Sequence, residues 1–249
     1  MLVAATTECF DNCSLPEAID RLLELEYSSV EIALHEDGTQ LKPSEVLTDF
    51  ERALKLCRNT RRLDVIAYSL RIAAEGERFY QEFSACCKLA KATKVVTVTV
   101  PSAELGTPFN EEVERLRRLV GIAQVEGVRV GLKSQVGRQS QDPDTVQVLC
   151  DNVPGLGVTL DPSHYICGPC SNRSYDKLFK YVYHVHLRDT SKKQLQVRVG
   201  QGEIEYGRLI NQLQKVKYTR ALSVNIAEMP GVDHAGELRK LRLLLETLL

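Results

Sequence analysis

Short β-forming runs alternate with amphipathic segments along the whole of this 249-residue chain. The alternation recurs about every 31 residues, eight times over. The strand runs are Leu2 to Thr7, Ser29 to Leu34, Leu63 to Leu70, Lys94 to Val100, Val128 to Leu132, Gly157 to Asp161, Tyr181 to Leu187 and Ala221 to Ile226. Between them the 3.6-residue period predicts helices near Leu15 to Glu26, Pro43 to Arg58, Glu77 to Ala92, Asn110 to Glu126, Pro143 to Cys150, Tyr175 to Lys180, Tyr206 to Lys215 and Ala235 to Leu248. Strands nearly continuous in Val, Ile and Leu suit a parallel sheet covered by helices on its outer face. Eight such units in roughly 250 residues predict an α/β fold, a parallel eight-stranded (β/α)₈ TIM barrel, as one domain over residues 1–249. An open doubly wound sheet would call for a glycine-rich turn after the first strand, and Glu8-Cys9-Phe10-Asp11-Asn12-Cys13 has no glycine.

Several helix starts carry their own signal. Ser14 followed by Glu17 forms a capping box, and Asn110 precedes a Glu-rich first turn that suits the helix dipole. A net charge of −1 gives no basic footprint for nucleic acid. No run of about 18 apolar residues occurs, so no membrane association is expected, and the start Met1-Leu2-Val3 predicts a cytoplasmic chain. The eight cysteines are then read as reduced and packing as small apolar residues, Cys86-Cys87 in a helix core among them. Cys167-Gly168-Pro169-Cys170 imitates a redox dithiol but lies in the loop after Asp161, where loop packing is the plainer reading.

In a (β/α)₈ barrel the chemistry sits at the carboxyl ends of the strands. The residues to inspect there are Glu8, His35 with Glu36, Ser69, Pro101, Lys133, Asp161 with His164, His186 with Arg188, and Asn225. Asp161 and His186 put a carboxylate and an imidazole at neighbouring strand ends, a pairing suited to a divalent cation. The two-residue period places His184 on the same face as His186 but deeper, in a hydrogen-bonded interior role. Asp161 can alternatively cap the turn into Pro162.

Three longer stretches resemble the xylose-isomerase-like sugar phosphate isomerases and epimerases. They are Gly131-Leu132-Lys133-Ser134-Gln135-Val136-Gly137-Arg138, Gly155 through His164, and Val182-Tyr183-His184-Val185-His186-Leu187-Arg188-Asp189. The resemblance implies a site in which two glutamates, an aspartate and a histidine hold one divalent ion, Mn, Mg or Zn. It assigns the aspartate to Asp161 and the histidine to His186. It places the glutamates at the ends of the fifth and eighth strands, where this chain has Lys133 and Asn225. It further implies that His164, Arg188 and Arg138 touch a sugar or its phosphate, with Asn225 beside them.

The departures lead to the expectation that the ion is weakly held or absent, with the Lys133 ammonium taking its charge role and pairing with Asp161. Glu203, Glu205 or Glu228 could supply a substitute carboxylate. Three readings follow: a divergent isomerase or epimerase of a small sugar or sugar phosphate, with Lys133, His164 and His186 as its catalytic groups; a barrel that binds a carbohydrate or polyol without a metal; and Schiff-base chemistry at Lys133. The partner in each case is a small molecule, and the choice between monomer and homo-oligomer stays open.

Overall fold

The computed structural model describes residues 1–249. Its strands are β1 (Leu2–Thr6), β2 (Ser29–His35), β3 (Asp64–Arg71), β4 (Thr97–Pro101), β5 (Arg129–Lys133), β6 (Leu156–Leu160), β7 (Val182–Leu187) and β8 (Ala221–Val224). Each pairs in parallel with the next, and β8 closes on β1 with Leu2 opposite Ala221 and Ala5 opposite Val224. The helices are α1 (Leu15–Glu24), α2 (Pro43–Thr48), α3 (Phe50–Arg58), α4 (Gly76–Ala92), α5 (Phe109–Val125), α6 (Pro143–Asn152), α7 (Ser163–Ile166), α8 (Tyr206–Lys215) and α9 (His234–Leu248). The expected closed barrel is the fold.

Local chemistry explains most of the boundaries. In α1, Leu15, Ala18, Ile19 and Leu22 are buried at helical spacing, each large one worth about 1.5–3 kcal/mol of removed apolar surface. Its start is the expected capping box, with the Glu17 carboxylate accepting from the Ser14 N–H at 2.9 Å. The segment expected as one helix from Pro43 to Arg58 is two, because Asp49 leaves helical geometry (φ −140°, ψ 75°) and caps α3 by accepting from the Arg52 N–H at 3.1 Å. The segment near Tyr175 is a short 3₁₀ turn, Asp176–Tyr181, and the preceding loop carries the extra helical turn α7 with His164 in it. All eight cysteines are free; Cys86 and Cys87 are fully buried, whereas Cys167 and Cys170 are half-buried in their loop.

The long loop after β7 is tied down from its root. Asp189, buried just past the strand end, accepts from the backbone N–H groups of Thr190 (3.1 Å), Gly200 (2.8 Å) and Gly202 (3.1 Å). Gly200 takes a left-handed conformation (φ 87°), and a Cβ at Gly202 would lie 2.0 Å from an Asp189 carboxylate oxygen, so both glycines are required where the chain folds back onto that side chain. The loop is thus anchored by a buried acceptor. Asp189→Ala strands three donors, and its stability in urea should fall by about 2 kcal/mol, with early proteolysis confined to residues 191–202.

Candidate functional site at the barrel mouth

The deepest polar group is on β2. Glu31 stands between Val30 and Ile32, and the two-residue period turns it inward together with Ala33 and His35. It is wholly buried. Its carboxylate accepts from His184 Nε2 at 3.0 Å, from His186 Nε2 at 2.9 Å and from the Ser223 hydroxyl at 2.7 Å, so β2, β7 and β8 meet on one side chain. Burial would push its protonation upward, but the two imidazoles and their hydrogen bonds hold the carboxyl well below the usual range. Burial moves His186 the other way, below its ordinary value. The network is an ionised carboxylate between donors, with His186 neutral.

Above this floor two charged groups divide the mouth. Glu8 follows β1 in a 3₁₀ turn (Thr7–Phe10), where the Thr6 hydroxyl accepts from the Glu8 N–H at 3.2 Å. The Glu8 carboxylate accepts from Asn225 Nδ2 at 3.1 Å and faces Lys133 Nζ at 3.8 Å and an Arg71 nitrogen at 3.6 Å. Burial raises its protonation, yet Lys133 first, then His35, Arg71 and His186, bring it down to about 2. The second group is Asp161, fully buried, which accepts from Arg188 at 3.2 Å, from the Ser163 N–H at 3.1 Å and from the Ser163 hydroxyl. Against its burial the Arg188 guanidinium, His164, Ser163 and His186 hold it below the ordinary range.

The other two mouth histidines have their tautomers set by their neighbours. Arg71 donates to His35 Nδ1 at 2.6 Å, and the Val136 N–H donates to His164 Nδ1 at 3.1 Å. Both Nδ1 atoms are therefore acceptors, which leaves the proton on Nε2. Burial lowers both to about 4, so each is neutral at pH 7. Their approaches to Glu8 (3.9 Å) and Asp161 (3.5 Å) are contacts of a neutral ring with a carboxylate.

Several sequence expectations change. Lys133 pairs with Glu8, because Asp161 is already occupied by Arg188 and Ser163; the expected Lys133–Asp161 pair is replaced by two separate pairs. Arg138 donates to the Ser102 carbonyl at 2.8 Å, just past the end of β4, and approaches Glu104. Glu203 binds the Lys192 N–H in its loop, and Glu205 and Glu228 are exposed. The carboxylate beside Lys133 and Asn225 is Glu8, already on the strand-end roster. Glu31 is not among the strand-end residues, although a glutamate inside the apolar run Ser29-Val30-Glu31-Ile32-Ala33-Leu34 is itself a signal, because burial demands partners. His184 has the interior hydrogen-bonded role its depth implies.

The strand-end donor set does not suit a divalent ion. Lys133 is a cation, Asn225 is turned onto Glu8, and Asp161 is engaged by a guanidinium. The one place where three ligating atoms of metal-binding type lie within 4.8 Å of one another is Glu31, His184 and His186. That trio could hold a metal, and in this structure its contacts are satisfied by hydrogen bonds among the three and Ser223. Beside Glu8 a cavity of about 290 Å³ opens between the first three strand ends, lined by His35, Arg71, Thr39, Gln40 and Asp11.

A family model described as xylose isomerase-like TIM barrel matches residues 19–246. No curated protein matches the sequence. Among solved structures, a xylose isomerase-like TIM barrel protein from Mycobacterium smegmatis in complex with magnesium superposes with a TM-score of 0.79 at 14% identity, covering 99% of this chain and 96% of that one. The apo form of 3-keto-D-glucoside 4-epimerase from E. coli gives 0.76 at 14% identity, with 99% of each chain covered. The IOLI protein with a binding zinc atom gives 0.71 at 18% identity, covering 99% of this chain and 97% of that one. At these identities the likeness is one of fold.

Lys133→Met removes the strongest of the charges that keep Glu8 ionised. Because the folded value is depressed, the stability this provides is present above about 4.5 and lost as pH falls towards 2. The variant should be about 1–3 kcal/mol less stable at pH 7, with the gap closing below about pH 4.5. Urea denaturation across pH checks it, and a gap independent of pH would contradict the assignment.

Proposed function

The chain belongs to the xylose isomerase-like TIM-barrel family, and we propose that its mouth takes a small sugar, polyol or sugar phosphate in a site where the Lys133 ammonium supplies the fixed positive charge. The observation that carries this is the convergence of Lys133 and Asn225 on Glu8. A positive charge and an amide occupy the two strand ends, and one carboxylate from β1 satisfies both. Sugar epimerases among the structural neighbours support an isomerase or epimerase class for the ligand.

In this reading Lys133 orients and polarises an oxygen of the ligand, while His164 carries a proton on Nε2 and His35 donates through Nε2 to the Ser69 hydroxyl. Arg188 holds Asp161 rigid at the opposite side of the mouth. A second reading, binding without turnover, is favoured by Glu8, since a carboxylate held at about 2 is a weak base for moving a carbon-bound proton. Schiff-base chemistry would first have to break the Lys133–Glu8 pair.

Elemental analysis of the purified chain should show well under one Mn, Mg or Zn per molecule. Stabilisation against heat by sugars should be unchanged by a chelator. Deuterium wash-in beside the carbonyl of D-fructose then separates turnover from binding. Stoichiometric metal, or ligand stabilisation abolished by the chelator, would overturn the metal-free site.

A further inference from the structure

Cys167 and Cys170 stand apart from the other six cysteines. Those six are buried, whereas these two are partly open to solvent, with the exposed Pro169 between them. A reagent in solution does not reach the six without opening the core, so thiol chemistry in the folded chain falls to this pair. A cavity of about 410 Å³ opens beside them, bounded by Ile166, Ser171, Asn172 and Arg173, which flank the two cysteines in the chain.

The chain between them is folded into a tight turn. Cys167 ends α7, donating its N–H to the Ser163 carbonyl at 2.9 Å and keeping helical angles (φ −88°, ψ −16°). From there the Ser171 N–H closes on the Gly168 carbonyl at 3.1 Å, and the Arg173 N–H on the Cys170 carbonyl at 2.9 Å. Chain that turns in this way keeps Cα atoms three residues apart within about 7 Å, and a disulfide spans about 4.4–6.8 Å. The two intervening residues are those the turn demands. A Cβ at Gly168 would lie 2.1 Å from the His164 carbonyl oxygen and 3.0 Å from a Val136 methyl, so no larger residue fits. Pro169 fixes its own φ and brings no N–H that needs a partner.

A redox catalyst puts its attacking thiol at a helix N-terminus, where the dipole stabilises the thiolate. Here Cys167 is at the carboxyl end of α7, and partial burial together with the Asp142 carboxylate raises the Cys170 thiol. A dithiol whose thiolates are not favoured exchanges slowly and gives a stable disulfide, so the pair suits a switch better than a catalyst. The turn also abuts the mouth. Gly168 packs on the His164 carbonyl and on Val136, whose N–H donates to His164 Nδ1 at 3.1 Å.

We propose that Cys167 and Cys170 are a redox modification site, closing an intrachain disulfide at the expense of a small disulfide such as oxidised glutathione and opening again in excess reduced glutathione. One cysteine thiolate attacks a sulfur of oxidised glutathione, forming a mixed disulfide and releasing one glutathione thiolate. The other cysteine, deprotonated in turn, attacks the cysteine sulfur of that bond, and the second glutathione thiolate leaves. Two cysteine thiols thus lose two protons and two electrons, and one oxidised glutathione becomes two reduced ones. Closing the bond tightens the turn that holds His164.

The test equilibrates the full chain in glutathione buffers of graded ratio, blocks free thiols with N-ethylmaleimide and reads by mass the peptide that carries both cysteines. Oxidised glutathione should yield that peptide unblocked and lighter than the dithiol by two hydrogens, while the six buried thiols are blocked only after denaturation. Excess reduced glutathione should return both thiols, and Cys170→Ser should stop at a mixed disulfide of Cys167 with glutathione. In the oxidised wild type, hydrogen exchange at the Gly168, Cys170 and Ser171 amides should slow about tenfold, and the His164 ring resonances should move. Two blocked thiols, a glutathione on each cysteine, or a bond to another cysteine or a second chain would overturn the site. A disulfide that leaves the exchange and His164 unmoved would overturn its link to the mouth. The wild-type chain alone decides both points, whether or not the serine variant folds, and neither depends on what the mouth binds.

Discussion

A carboxylate buried in the middle of a barrel must find protons to accept, and much of this molecule's inner architecture follows from Glu31 doing so. Its donors come from β7 and β8, on the far side of the strand order from β3, so the contact crosses the barrel interior. An aliphatic residue there would pack more simply. What the carboxylate adds is direction: it fixes which nitrogen of His186 carries the proton. The same constraint explains why His184 and His186 alternate with Val185 along β7, with both rings facing inward.

The mouth above is organised as two ion-paired halves. Glu8 with Lys133 and Asn225 spans β1, β5 and β8, and Asp161 with Arg188 spans β6 and β7. Each carboxylate is kept ionised against its burial by neighbouring cations, and the histidines are kept neutral by burial. The result is a site with fixed charges and fixed tautomers, preorganised before any ligand arrives.

The barrel was legible because hydrophobic periodicity is local: each unit carries its own strand and helix signal, and eight of them admit few closures. The helix break at Asp49 was not, since it depends on a side chain choosing a cap over the helix interior. Within the site, strand-end position located Lys133, Asp161, His186 and Asn225, but not their partners. Pairing is a property of the closed barrel: Lys133 and Asp161 sit on adjacent strands, yet each binds a group the sequence gives no reason to prefer. Glu31 lies below the strand ends, deeper than the rim positions at which barrel chemistry sits.

Lys133 and Asn225 at the rim form one group with Glu8 as its third member. A lysine on β5 without an acceptor would be a half-buried uncompensated charge, and Asn225 without one would leave its amide protons unmet. Glu8 meets both needs from β1, a strand that contributes none of the ligands the family resemblance implies. Its occupation of that space also explains why exposed carboxylates at Glu203, Glu205 and Glu228 are not recruited: the position they would fill already holds a carboxylate, neutralised by Lys133 and Arg71. Lys133, Asn225 and Glu8 are therefore interdependent: removing any one leaves a largely buried charge or amide of the others without its partner.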